Sequence, residues 1–212
     1  MKPFTRLTAA AAPLPLASVD TDQLIPARFM KRSRAQGYGD HLLYDLRFNA
    51  NGAPNLDFVL NTPRFAGAQV LVARRNFGAG SSREAAVYAL VDFGFRCIIA
   101  PSFGDIFAAN AVNNGLLPAH MPEDAVEALL GLLTETACDV TVDLDACLIR
   151  AANTEFPFAI DPVWRVKLLN GWDDLDLTAS YADQIVQHAD AQRKLRPWLQ
   201  TPTLDGLTLR PE

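Results

Sequence analysis

Cysteine and histidine are scarce, three of each in 212 residues, and the scarcity excludes several chemistries. Cys97, Cys138 and Cys147 are odd in number and lie far apart, with no Cys-x-x-Cys pair, so they read as reduced thiols rather than a disulfide framework. His41, His120 and His188 are equally scattered. Neither residue type has the spacing of metal ligands, and the chain is expected to hold no metal of its own. No lysine-rich or arginine-rich block interrupts the sequence. With 19 basic against 24 acidic side chains and a formal net charge of -5, nucleic acid and anionic membrane are poor partners. Long apolar runs are absent too. The stretch from Leu7 to Leu16 is broken by Pro13 and Pro15 and lacks the continuous apolar region of a signal peptide, and nothing approaches the roughly 18 apolar residues of a membrane helix. These absences describe a cytoplasmic chain.

What is present suffices for a core: half of the residues are hydrophobic. A single domain over 1–212 is expected, with a loop excursion at about 31–50 and a C-terminal extension at about 193–212. Phe4 to Thr8 alternates as a strand does, and the rest of the first 75 residues reads as strands and long loops. The polar, glycine-bearing stretch from Lys31 to Asp45 is long and unpatterned, as functional loops often are. In the centre, Gln69–Ala73, Arg96–Ala100 and Leu116–Ala119 are short apolar runs. Helices are expected between them, from about Ser82 to Phe93 and from Ser102 to about Asn113. Strand and helix alternating in this way predict an α/β fold with a parallel-sheet core flanked by helices. Beyond it, Pro122 to Leu133 is amphipathic, with Val126, Leu129, Leu130 and Leu133 on one face. Asp139–Asp143 and Glu155–Ile160 alternate as half-exposed strands. Further helices are expected from Asp161-Pro162 to Gly171 and over Ala179–Gln192.

Gly78-Ala79-Gly80, after a strand and before a helix, permits backbone torsions that turn N–H groups toward one concavity, and the helix start adds partial positive charge. Ser81 and Ser82 supply hydroxyls, and Arg83 a guanidinium whose fork matches a carboxylate. The turn therefore suits a carboxylate or phosphate. A structural alternative competes for Ser81: Ser81-Ser82-Arg83-Glu84 also fits a capping box, in which Ser81 accepts from the Glu84 N–H and the Glu84 side chain returns the bond. Nucleotide loops do not fit, since the lysine of a phosphate loop is missing and position 83 is arginine where a dinucleotide turn needs glycine.

Three segments carry a resemblance: Val19-Asp20-Thr21-Asp22-Gln23-Leu24-Ile25-Pro26, Asn76-Phe77-Gly78-Ala79-Gly80-Ser81-Ser82-Arg83-Glu84, and Ala100-Pro101-Ser102-Phe103-Gly104-Asp105-Ile106-Phe107. They resemble the signature regions of the isopropylmalate isomerase small-subunit family, in the aconitase superfamily. With Gly37 to Leu42, Asn110 to Pro118 and the stretch from Met121, the similarity covers nearly the whole chain in order. It implies a swivelling β/β/α domain of the aconitase C-terminal type and a two-chain hydro-lyase of leucine biosynthesis. In such an enzyme a large-subunit partner carries the iron–sulfur cluster, and a hydroxy-dicarboxylic acid is dehydrated and rehydrated. It also implies Ser81 as the base, Asp22 as an acidic active-site residue, and Gly80, Ser82 and Arg83 as substrate-binding positions. Arg34, with Arg32 as a substitute, fits a substrate-contacting arginine downstream of the first segment.

Members of this family typically read Gly-Cys-Gly-Ser-Ser-Arg-Glu-His-Ala through the turn. This chain has Ala79 for the cysteine and Ala85 for the histidine, neither of them a residue given a part in proton transfer. Two alternatives stay open. One is a paralogous hydro-lyase acting on methylmalate, dimethylmalate or homoaconitate, since a methylene in a pocket discriminates by only about 1–3 kcal/mol. The other is a non-catalytic, carboxylate-binding swivel module.

Overall fold

The computed structural model describes residues 1–31, 33–136 and 139–199. Arg32, Cys138 and the tail beyond 199, each given a part above, lie outside the described residues. The chain divides into two compact units, Met1–Asp174 and Leu175–Glu212.

Four apolar runs of the first unit form a parallel half-sheet: β1 (Arg6–Leu14), β2 (Val70–Ala73), β3 (Cys97–Ala100) and β4 (Leu117–His120). β2 and β3 are apolar throughout, and β4 is apolar up to its last residue, His120, because both faces of the sheet are covered. Val70, Val72, Cys97 and Ile99 enter one core, and Leu71, Ala73, Ile98 and Ala100 the other, as the two-residue period of a strand requires. α3 (Glu84–Phe93) and most of the apolar face of α4 (Asp105–Asn113) fill the second of these cores. The first is closed by α5 (Glu123–Glu135), whose stripe of Val126, Leu129, Leu130 and Leu133 is buried, and by Leu168 of α6 (Pro162–Asn170).

β1 is longer than its alternating start suggests. Its first half, Arg6–Ala10, pairs antiparallel with β5 (Asp139–Asp143), and its second, Ala11–Leu14, pairs parallel with β2. Pro13 thus falls where β1 has a neighbour on one side only, a place at which a strand tolerates a missing N–H. β6 (Leu148–Ala151) and β7 (Thr154–Pro157) complete one seven-stranded sheet of order β4-β3-β2-β1-β5-β6-β7. The α/β architecture with a parallel core and flanking helices is the one expected, enlarged by an antiparallel wing whose middle strand the sequence pattern did not announce.

The excursion between β1 and β2 is a chain of single turns rather than an open loop. α1 (Thr21–Leu24) and α2 (Tyr44–Arg47) are one-turn helices, and 3-10 turns occupy Ala27–Phe29, Arg34–Gln36, Gly39–His41, Val59–Asn61 and Pro63–Phe65. Tyr38, Leu42, Leu43, Leu60 and Phe65 are buried in the same core as α3. Asp92, near the end of α3, accepts from Arg34 Nη1 at 2.6 Å and from the Tyr38 N–H at 2.8 Å. Gly39 is so close that a Cβ there would stand 2.7 Å from the Asp92 carbonyl carbon.

Beyond α6, where one helix over Ala179–Gln192 was expected, there are two: α7 (Asp174–Ala179) and α8 (Ala182–Leu195). Among the described residues no helix is long and apolar enough to cross a membrane. For function, the decisive consequence of the topology is that β1, β2 and β3 end side by side. The segments that follow them meet at the carboxyl edge of the parallel sheet, where open α/β sheets bind ligands.

Candidate active site

The three segments singled out in the sequence are the ones this edge brings together. Backbone bonds tie the first to the second: the Gly78 N–H donates to Val19 O at 2.7 Å and the Thr21 N–H to Ala79 O at 2.9 Å, giving a short parallel bridge between Asp20 and Ala79. The second is tied to the third by Phe77 N–H to Ser102 O at 3.0 Å and Gly104 N–H to Phe77 O at 2.9 Å. Asn76, in the left-handed region, donates its N–H to Ser102 Oγ at 2.8 Å and its side-chain amide to Ser18 Oγ at 3.1 Å. Phe77, Phe103 and Phe107 pack beneath in edge and stacked contacts. Gly78 makes the close approach possible, for its φ is +72° and a Cβ would stand 2.2 Å from the Phe107 ring.

Ser81 and Ser82 lie exposed on this base, beside Gly80 with its φ of +105°. Ser81 does not cap the helix. α3 starts at Glu84, and Arg83, in the cap position, makes no side-chain cap bond. The expected box between Ser81 and Glu84 is therefore not formed. Ser81 turns instead to Thr21, its Oγ 3.0 Å from Thr21 Oγ1 and its N–H donating to the same oxygen at 3.2 Å. Glu84 accepts from Asn114 Nδ2 at 2.9 Å. A capping box does exist nearby, on α1: Asp20 accepts from the Gln23 N–H at 2.7 Å and Gln23 returns the bond to the Asp20 N–H at 3.0 Å. That box fixes Thr21 and Asp22 opposite the turn.

Asp22 forms an ion pair with Arg83, whose side chain is the less exposed of the two. A guanidinium carries five N–H groups, so one carboxylate does not exhaust it. Of the turn amides, Gly78 and Ser81 are engaged as described and Arg83 donates to Ser81 O at 2.8 Å. Those of Gly80 and Ser82 have no partner among the described residues. Two amides without a partner, two exposed hydroxyls and a guanidinium thus lie within four consecutive residues of one turn. A small carboxylate is the ligand that chemistry fits.

Five of the six residues singled out from the sequence, Asp22, Gly80, Ser81, Ser82 and Arg83, are together here. Arg34 stands apart: it pairs with Asp92 and lies over the Tyr88 ring at 4.4 Å. Since Asp92 is eight residues along α3 from Glu84, that is about 12 Å of helix away. Thr21 is the residue that sequence reasoning passed over. It was quoted within the first segment, but its 1% exposure and its contact with Ser81 are tertiary facts. For metals, no group of three or more His, Cys, Asp or Glu among the described residues could hold an ion. Cys97 is fully buried, which pushes its thiol far above the usual range.

Residues 1–124 match the family model of the aconitase C-terminal domain, which defines the class of this fold. The chain is 46% identical over 200 residues to the 3-isopropylmalate dehydratase small subunit of Rhodospirillum centenum, covering 93% of this chain and 98% of that protein. It is 45% identical over 201 residues to the protein of the same name from Bacillus subtilis, at 94% and 100% coverage. A crystal structure of 3-isopropylmalate dehydratase from Methanocaldococcus jannaschii shares the fold at a TM-score of 0.61 and 24% identity, over 87% of this chain and 99% of that one. The chain belongs to the aconitase C-terminal domain family and, within it, to the small subunits of 3-isopropylmalate dehydratase.

Proposed function

We propose that this chain works as the small subunit of a 3-isopropylmalate dehydratase, interconverting 2-isopropylmalate and 3-isopropylmalate by removal and re-addition of water, in complex with a large subunit. The observation that carries the reading is the meeting of Ser81, Ser82, Arg83 and the free turn amides at the sheet edge, in a chain of this family. Dehydration removes a proton from the carbon beside a carboxylate while the hydroxyl on the neighbouring carbon departs with its bonding electrons. That C–H is a very weak acid, so charge developing on the carboxylate has to be stabilised. The Gly80 and Ser82 amides and Arg83 are the donors this chain offers, with Asp22 orienting the guanidinium. Ser81, as its alkoxide, takes the proton and returns it to the alkene in the reverse direction; Ser82 hydrogen-bonds substrate.

An iron–sulfur cluster, which in this reading sits on the large subunit, would act as the Lewis acid for the departing hydroxyl. The described residues of this chain do not fit one: Cys97 is buried in the core, Cys147 lies at a hairpin between β5 and β6, and no group of three or more His, Cys, Asp or Glu among them could hold an ion. The site on this chain is open and exposed at Ser81 and Ser82, as a half-site closed by a partner surface should be.

Co-purification with a large subunit, followed by the alkene absorbance with each candidate malate derivative, tests the reading. Turnover of isopropylmalate is expected, with Ser81→Ala lowering kcat by about 10²- to 10⁴-fold, the usual contribution of a positioned base. Turnover of methylmalate alone would assign the chain to a paralogous hydro-lyase, and full activity of Ser81→Ala would remove Ser81 as the base.

A further inference from the structure

We infer that Thr21 is a positioning residue that holds and stabilises the proton-accepting oxygen of Ser81, an inference resting on the hydro-lyase reading of the same turn. Thr21 is 1% exposed, whereas Ser81 in front of it is open to solvent. A threonine hydroxyl has one proton and two acceptor positions. One acceptor position of Thr21 Oγ1 is filled by the Ser81 N–H at 3.2 Å. Ser81 Oγ stands 3.0 Å from the same oxygen, and in neutral serine either hydroxyl can be the donor. Once Ser81 has lost its proton its oxygen can only accept, so the contact then has one direction, from the Thr21 O–H to Ser81 Oγ.

A donor held in a buried position strengthens its bond to an anion, because the surroundings screen little and no reorganisation is needed. Thr21 is held in that way. Its N–H is bonded to Ala79 O, and the capping box on either side of it fixes the first turn of α1. Gly80 keeps the approach open, since a Cβ there would come within 3.3 Å of Thr21 Oγ1. The charged groups around the pair are all engaged elsewhere: Asp20 with the Gln23 N–H, Asp22 with Arg83, and Glu84 with Asn114. The three carboxylates oppose a further negative charge at Ser81 and Arg83 favours it. Thr21 is the neutral donor in direct contact.

Thr21→Val removes the hydroxyl and keeps the shape; Thr21→Ser keeps the hydroxyl. In the complex with the large subunit, Thr21→Val is expected to lower kcat about 10- to 100-fold, to leave KM nearly unchanged, and to move the acidic limb of the kcat–pH profile to higher pH. Thr21→Ser should restore both. A kcat loss with the limb unmoved, or a rise in KM alone, is what a slackened turn would give, and either overturns the proposal. Should Thr21→Val not assemble, Thr21→Cys, whose thiol is a poorer donor of similar size, carries the same measurement. Full activity in Ser81→Ala would instead strike at the reading beneath. An inactive Ser81→Ala beside a Thr21→Val of unaltered kcat and pH profile sinks this inference alone.

Discussion

In the proposed reaction Arg83 would serve two demands. Its guanidinium already holds Asp22, and its remaining donors would receive a substrate carboxylate. A lysine at this position would keep the charge and the ion pair but lose the planar fork. Arg83→Lys is therefore expected to raise the KM for the dicarboxylate by about 10- to 100-fold, the worth of one charge-assisted bond, with a smaller effect on kcat. Steady-state kinetics of the reconstituted complex would check it, and an unchanged KM would remove Arg83 from carboxylate binding. At this scale the sequence was most informative about residue types. It named Asp22, Ser81, Ser82 and Arg83 but left two readings for Ser81. Only the position of Thr21, sixty residues earlier and folded against the turn, decides that the Ser81 hydroxyl leaves the helix end uncapped.

Among the elements, the close approach of the second and third segments depends on two glycines needed for different reasons. Gly78 has a left-handed φ and no room for a side chain. Gly104 has an ordinary φ of -65° as the residue before α4, so torsions alone would admit alanine there. A Cβ at Gly104, however, would stand 2.6 Å from Gly78 O, and the backbone cannot yield without parting the two segments. Gly104→Ala is expected to destabilise the domain by about 1–3 kcal/mol, as overpacking does, and to lower kcat by displacing the turn. Thermal unfolding and activity in parallel test this; a wild-type Tm would mean the segments separate freely. The same elements show what could be read in advance. β2, β3, β4 and the stripe of α5 were legible because burial on both faces, or on one face of a long helix, writes an unbroken or periodic apolar pattern. β6 was not, because burial on one face leaves only Ile149 and Ala151 buried, too few to show an alternation, and its hairpin to β7 turns on Ala152-Asn153, with Ala152 at φ 50°, instead of the Asn-Gly that marks such turns. The excursion hid its order for a similar reason: turns of three or four residues are too short to show a period.

For the whole molecule, acid is the condition that tests how the units' charges are placed. Asp45, Glu127 and Asp174 are each held below the ordinary carboxylate range, first by hydrogen bonds from Arg28, Arg74 and Lys167 respectively. A carboxyl with a lowered folded pKa binds fewer protons when folded than when unfolded. Its stabilisation is therefore complete above the unfolded value of about 4 and is lost as pH falls through the lower folded value. The Arg28 and Arg74 pairs are solvent-exposed on both sides and contribute little. Lys167 differs, since it is buried and its ammonium donates to Asp174 Oδ1 at 2.6 Å and to Asn113 Oδ1. Asn113 itself donates to the other Asp174 oxygen at 3.0 Å, so α4 and α6 are joined through the carboxylate of Asp174, the last residue of the first unit. Protonating that carboxylate leaves a buried cation without its counter-charge, which is the costly half of breaking such a pair. The Tm is accordingly expected to stay nearly flat from pH 8 to pH 5 and to fall below about pH 4. Asp174→Asn should start lower at neutral pH and fall less steeply on acidification, because part of what acid removes is already gone. Parallel Tm curves for the two proteins across that range would show that the Lys167 pair does not govern acid stability.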